Sequence, residues 1–207
     1  MSVSIITPWH NCPELLPAYL EAVKDAQVII IDNASDEETA STLFNTVNNL
    51  NGIYIRNKNN EKFAHANNQG LAVATGDIVV FLNSDIRAHG DWLSIVETLK
   101  SGALYSPSSG IRYVDGTPVY YLEGWCLIGW RKDFERIGGW NDTDFPGLYW
   151  EDNELCWRAS KAGLSLKQIN LPLEHLNNYT SSRTQGAYDN SDANRLVFER
   201  IVREGMK

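Results

Sequence analysis

The sequence is poor in cysteine, carries no surplus of basic residues and contains no long apolar run. Its three cysteines, Cys12, Cys126 and Cys156, are widely spaced and odd in number. That pattern offers neither a disulfide framework nor a cysteine-built metal site, and reads as reduced thiols of a cytosolic protein. The first residues, Met-Ser-Val-Ser-Ile-Ile-Thr, lack the basic and long apolar regions of a secretory signal. No stretch approaches the about 20 apolar residues of a membrane span, so no transmembrane segment is expected. Work at a membrane would then require recruitment to its periphery. With 18 Lys and Arg against 26 Asp and Glu, the net charge of -8 speaks against a general nucleic-acid binder. It leaves room for a local basic pocket for a diphosphate. Repeats and low-complexity segments are also missing.

What is present suits one domain, with or without a small appendage, over 207 residues of which 43% are hydrophobic. Seven Trp and nine Tyr are many for this length. Some belong in a core, but aromatic faces also serve sugar-binding sites.

Four strand-then-polar units open the chain. Val3 to Thr7 is a short apolar run ending at Pro8, followed by Leu15, Leu16, Tyr19, Leu20 and Val23 at helical spacing. Gln27 to Ile31 is a second strand, stopped by Asp32-Asn33-Ala34-Ser35-Asp36. Ser35 is read as the N-cap of the next helix, with Asp36, Glu37 and Glu38 in its first turn. Ile53 to Arg56 is a third strand and Ala64 to Ala74 a third helix, before Asp77 to Leu82 forms a fourth strand ending in Asn83-Ser84-Asp85. Such alternation predicts an α/β fold with a mostly parallel sheet and helices on both faces. The unbroken apolar strands agree with burial on both sides. Ligands then bind outside the carboxyl ends of the strands, where the polar clusters lie.

The second half is less regular. Gly102 to Tyr121 reads as turns with short strands, Trp125 to Trp130 as an apolar strand, Gly138-Gly139-Trp140 as a turn and Glu151 to Ala162 as a helix. Asp189 to Arg203 looks helical, a tail that packs back on the domain or supports a homodimer.

Several of these residues suit chemistry on a sugar diphosphate. A carboxylate just past a buried strand, Asp85, can help hold Mg²⁺ or Mn²⁺, which take one or two carboxylates plus phosphates and water. Asn83, Ser84 and Asp85 are equally ordinary turn residues. In Trp150-Glu151-Asp152-Asn153-Glu154, a carboxylate can take the proton from an acceptor hydroxyl. The same acids would also favour the helix dipole without any function. Asp152 is the preferred base, with Glu151 capping the helix or contacting acceptor hydroxyls. Asp32 either accepts from a nucleobase N–H or makes an Asx turn. Thr7 and Pro8 would line the same pocket, and His175 is a candidate third metal ligand. Nothing in the sequence promotes His10 or His65 above loop residues.

The order of these pieces resembles family-2 glycosyltransferases with the GT-A fold. The matching text is Val3-Ser-Ile-Ile-Thr-Pro8, Val28-Ile-Ile-Ile-Asp-Asn-Ala-Ser35, Phe63-Ala-His-Ala-Asn-Asn-Gln-Gly70 and Ala74-Thr-Gly-Asp-Ile-Val-Val-Phe-Leu-Asn-Ser-Asp85. It continues in Phe134-Glu-Arg-Ile-Gly-Gly-Trp140 and Trp150-Glu-Asp-Asn-Glu-Leu-Cys-Trp-Arg158. The resemblance covers about residues 3 to 176 and is closest to the rhamnosyltransferase-like branch. It implies a nucleotide-sugar-binding half at 1–100, an acceptor and catalytic half of the same domain at 101–180, and a helical tail at 181–207.

By the same resemblance, Thr7, Asp32 and Asn68 hold the nucleoside and diphosphate of a UDP-, GDP- or dTDP-sugar. Asp85 binds Mn²⁺ or Mg²⁺, with His175 completing the site and Asn83 where many relatives carry the first Asp of a DxD motif. Asp152 is the base of an inverting single displacement, Glu151 stands beside it, and Arg158 sits on the same helix. Lys62 stands where relatives often have Gly. The chain ends soon after the core, without the extensions that carry acceptor domains or membrane helices.

A glycan, lipid-linked sugar or protein is the expected acceptor. A DNA-modifying transferase of viral type and a catalytically silent nucleotide-sugar or carbohydrate binder are the alternatives. A nucleotidyltransferase would need a Gly-rich basic loop after the first strand, where this chain has Trp9-His10-Asn11-Cys12.

Overall fold

Strands whose residues are apolar on both faces must be covered on both, and that requirement organises the whole chain. The computed structural model describes residues 1–145, 148–176, 179, 183 and 190–206. The first half runs β1 (Val3–Trp9), α1 (Leu16–Val23), β2 (Gln27–Asn33), α2 (Glu37–Asn49), β3 (Ile53–Asn57), α3 (Lys62–Val73), β4 (Ile78–Leu82), β5 (Ile86–Ala88) and α4 (Leu93–Val96). The second half adds β6 (Ala103–Ser106), β7 (Ser109–Val114), β8 (Thr117–Leu122), β9 (Cys126–Trp130), α5 (Arg131–Ile137), α6 (Glu151–Lys161), β10 (Ser165–Gln168), β11 (Leu173–His175) and α7 (Ser191–Gly205).

Seven strands form one sheet in the order β10-β6-β9-β4-β1-β2-β3. β1 pairs in parallel with both β2 and β4, and β2 with β3. β9 is antiparallel to β4 and β6, because the chain enters it from the β7–β8 hairpin rather than through a helical crossover. The sheet therefore crosses the boundary near residue 100, and both halves share it. β5 and β11 make a separate two-stranded ribbon.

Alternate residues of each central strand feed opposite layers. Ile5, Ile30 and Val80 face a core with α1, α2 and α4, whereas Ile6, Ile29 and Phe81 face one with α3, α5 and α6. Full burial of each such side chain contributes about 1.5–3 kcal/mol. α3 lies so close to β1 that a Cβ on Gly70 would stand 2.2 Å from Ile6 Cγ2, which gives the Asn68-x-Gly70 spacing its packing reason. A third, smaller core joins Phe198 and Val202 of α7 to Val114 and Val119 of the hairpin. The tail thus packs on its own domain. Among the described residues, no helix is long and apolar enough to cross a membrane.

One local expectation changes. Asp36, not Ser35, caps α2: its Oδ1 accepts from Thr39 N at 2.8 Å. Ser35 Oγ instead accepts from Asn11 N at 2.9 Å, pinning the loop after β1 to the loop after β2. The aspartate competes better for the cap because its charge also suits the helix N-terminus.

Candidate active site

The loops leaving β1, β2 and β4 and the start of α6 surround one open cleft of about 520 Å³. Pro8, Asn83, Ser84, Asp85 and His175 line it from the sheet-edge loops and the β5–β11 ribbon, and Glu151 and Asp152 line it from the start of α6. Seven of the ten residues singled out from sequence therefore meet in one place.

Asp85 is 3% exposed, and its Oδ1 lies 3.2 Å from His175 Nε2. The same Nε2 is 3.3 Å from Asn83 Nδ2. β11 pairs with β5, setting His175 opposite Ile86 and so beside Asp85. Trp125 stacks flat on the imidazole, with ring centroids 4.9 Å apart and an interplanar angle of 4°. Among the described residues, no group of three or more His, Cys, Asp and Glu gathers into a metal cage. A carboxylate and an imidazole with an amide beside them nevertheless suit an ion that keeps substrate phosphates and water in its shell.

Asp152 sits at the second position of α6. Its Oδ2 accepts from Gly124 N at 3.1 Å and its Oδ1 from Asn153 N at 2.8 Å. A Cβ on Gly124 would come 3.2 Å from Asp152 Cβ and 3.3 Å from Trp140 Cη2, so a larger residue there would press on both side chains. Burial pushes the Asp152 carboxyl up, partly offset by those two N–H donors and by the charge of Arg112. Burial pushes Glu151 up as well, and the negative charge of Asp152 adds to it. Both carboxyls are therefore held above the ordinary carboxylate range, and each opposes the ionisation of the other. Glu151 Oε2 and Asn153 Nδ2 are buried with no hydrogen-bond partner among the described residues, although both residues line the cleft.

The tripeptide Glu123-Gly124-Trp125 ties the two ends together. Gly124 N holds Asp152, Trp125 O accepts from Asn83 N at 2.8 Å, and the Trp125 ring covers His175. Sequence reading placed Trp125 in a strand and passed over this loop. A glycine and a tryptophan between two apolar runs were the only signal.

The backbone that delivers α6 is strained. Tyr149 and Trp150 both take positive φ, 74° and 76°, a conformation costing roughly 1–2 kcal/mol for each non-glycine residue. Asn194 of α7, 2% exposed, holds it in place by donating from Nδ2 to Leu148 O at 3.2 Å and Tyr149 O at 3.0 Å. Replacing Asn194 with Ala leaves two carbonyls without their donor. The variant should lose about 1–3 kcal/mol of stability, seen as a lower Tm. Turnover should fall with it as Glu151 and Asp152 lose their register. An unchanged Tm would show that the strained segment holds itself.

Arg158 and Asn68 lock the floor. Arg158 pairs with both Glu154 oxygens, at 2.9 and 2.8 Å, and donates to the carbonyls of Ile137 and Gly139. Asn68 clasps Trp140 from both sides, donating to its carbonyl at 2.8 Å and accepting from its N–H at 2.9 Å.

Three expected donor ligands do not reach the cleft wall. Thr7 is fully buried and shares a 2.8 Å hydrogen bond with Tyr19 Oη. Asp32, also fully buried, accepts from Ser35 N at 2.8 Å and Tyr54 Oη at 2.6 Å, with Arg56 Nε at 3.5 Å. Asn68 is spent on Trp140. Thr7 and Asn68 bond to neighbours distant in sequence, whereas the Asp32–Ser35 bond is the local turn that was the alternative reading of Asp32. His10 and Lys62 do line the cleft, and Lys62 adopts φ 69°, a left-handed conformation that glycine accepts without cost. His65 faces away, paired with Asp142 at 2.9 Å.

Comparison with known proteins agrees with this geometry. Residues 4–147 match Glycosyl transferase family 2. A pre-mycofactocin glycosyltransferase of Mycobacterium tuberculosis is 25% identical over 193 residues, covering 80% of this chain and 40% of that protein. The uncharacterized glycosyltransferase YfnE of Bacillus subtilis is 35% identical over 97 residues, 44% of this chain and 25% of that one. The chain thus spans less than half the length of the curated relatives it matches. Among solved structures, the mannosyltransferase PcManGT of Pyrobaculum calidifontis, in complex with GDP-Man and Mn²⁺, superposes with a TM-score of 0.65 at 20% identity. That match covers 81% of this chain and 54% of that one. Residues 1–349 of S. aureus TarS give a TM-score of 0.64 at 14% identity, over 84% and 60% of the two chains. At such identities the likeness speaks for the fold, which is that of the GT-A glycosyltransferases. Since the profile match runs through most of the chain and through the strands that build the cleft, the chain belongs to Glycosyl transferase family 2.

Proposed function

We propose that the chain transfers a sugar from a UDP-, GDP- or dTDP-linked donor to an acceptor hydroxyl, by a single displacement with inversion. The observation that carries this reading is a shared cleft: Asp152 and the Asp85–His175 pair open on it and are tied through Glu123-Gly124-Trp125. A base and a diphosphate site must face each other across the anomeric carbon, and this arrangement suits that need. The acceptor hydroxyl donates to Asp152, which takes its proton as the bond to the diphosphate breaks. Glu151, held neutral beside it, contacts hydroxyls of the bound sugars. Pro8, Asn83 and Ser84 line the donor side, while Thr7, Asp32 and Asn68 serve it by holding its walls.

Asp85 and His175 would hold Mn²⁺ or Mg²⁺, and the imidazole favours the softer Mn²⁺. When bound, such an ion neutralises charge developing on the diphosphate. The mannosyltransferase relative, solved with GDP-Man and Mn²⁺, supports both a nucleotide-sugar donor and a divalent ion.

Thermal unfolding with UDP-, GDP- and dTDP-sugars, each with and without Mn²⁺, tests this. A ligand at a hundred times its Kd adds about 2.7 kcal/mol, which raises the midpoint of a domain this size by roughly 5–10 °C. One nucleotide class should give that shift, and only with the ion. No shift with any of them would remove the donor reading and leave a silent binder.

A further inference from the structure

We propose that the acceptor carries an oxyanion, a carboxylate or a phosphate, near the hydroxyl to be glycosylated, and that Arg112 is the residue that holds it. The proposal rests on the reading of Asp152 as the base, because it takes the wall around Asp152 as the acceptor side.

Arg112 lies on β7 opposite Val119, in the β7–β8 hairpin. Its neighbours Ile111 and Tyr113 point out and are 53% and 69% exposed. Arg112, itself partly open to solvent, is on the opposite side of the strand and is the one arginine among the described residues that lines the cleft. Two rings steady its guanidinium, Tyr121 at 5.1 Å and Trp150 at 4.6 Å to the ring centroids. Aromatic contact orients the planar group without using any of its five N–H donors. Among the described residues, no carboxylate or carbonyl accepts a hydrogen bond from it. Several other arginines of this acidic chain are spent differently: Arg56, Arg131, Arg158, Arg195 and Arg203 each pair with a carboxylate.

A guanidinium pre-set by rings and unspent on the protein is a receptor for a planar, bidentate oxyanion. Its place separates it from the donor diphosphate. His10 faces the cleft from the loop after β1 and Lys62 from the start of α3, whereas Arg112 and its two rings stand on the hairpin and just before α6. Trp150 directly precedes Glu151 and Asp152, so an anion on Arg112 brings its neighbouring hydroxyl to the base. A neutral acceptor would make less use of the guanidinium's N–H donors.

Ligand-detected NMR titration of the full chain with glucose, glucuronate and glucose 6-phosphate tests the proposal without needing turnover. At least one of the two anions should bind 10-fold or more tightly than glucose, and which one identifies carboxylate or phosphate as the source. Arg112→Gln should lower that anion's affinity about 10-fold and leave glucose unchanged, while Arg112→Lys should keep part of the preference. In transfer assays the Arg112→Gln loss should fall on acceptor KM more than on kcat. Equal binding of glucose and both anions, or a preference that survives Arg112→Gln, would overturn the assignment. Failure of the donor reading looks different: no nucleotide-dependent stabilisation, with anion binding at Arg112 intact.

Discussion

Asp152→Asn should keep the fold and the donor affinity and lose roughly 10²–10⁴-fold in transfer, the usual contribution of a positioned base. The amide preserves the shape of the side chain, and its carbonyl oxygen can still accept from Gly124 N or Asn153 N. It cannot take a proton. Burial opposes the ionised aspartate, so the variant is freed of that cost and its Tm should hold or rise. A stable, donor-binding, inactive protein is therefore the expected result, read by Tm, nucleotide titration and initial rates together. Near-wild-type turnover would remove Asp152 from the base role.

The pH profile of the unsubstituted chain supplies an independent check. The base works only when ionised, and burial raises its pKa above the ordinary aspartate range. Transfer should therefore fall as pH drops through that raised value, at a higher pH than an exposed aspartate would give. Burial and the neighbouring Asp152 push Glu151 up as well, so the two carboxyls titrate as a pair and the profile reports the pair.

Asp85→Ala should act on a different step. Asp85 faces His175 at 3.2 Å and shares none of the hydrogen bonds that hold Asp152, and the proposed function assigns it to the donor. Its removal should weaken cation-dependent donor binding by about 100-fold or more, equivalent to about 2.8 kcal/mol. The increment in Tm that Mn²⁺ adds to a bound nucleotide should disappear, while any binding of nucleotide alone remains. Because Asp85 is buried, Asp85→Asn serves as the shape-preserving companion. It should lose the same increment without loss of the fold. Unchanged donor affinity in both variants would take Asp85 out of the metal site.

The sequence by itself determined the repeating strands and helices, the two-sided burial and the edge of the sheet where ligands gather. Those features are written locally: runs such as Val28-Ile-Ile-Ile31 and Ile78-Val-Val-Phe-Leu82 allow no exposed face, and the polar residues that end them must lie at the strand ends. The same locality made Asn83, Asp85, Glu151 and Asp152 legible as candidates. It also misled, since a polar residue after a strand looks the same whether it meets ligand or protein. Only the tertiary structure decided that Asp32 is consumed by Tyr54 and Ser35, Thr7 by Tyr19, and Asn68 by Trp140. Their hydrogen bonds reach partners up to 72 residues away in sequence. In the same way, folding alone brought Gly124 under Asp152, set Trp125 on His175, aimed Arg112 between two rings and made Asn194 the support of a strained turn. Each of these depends on which elements become neighbours, a property of packing that no single stretch of the chain contains.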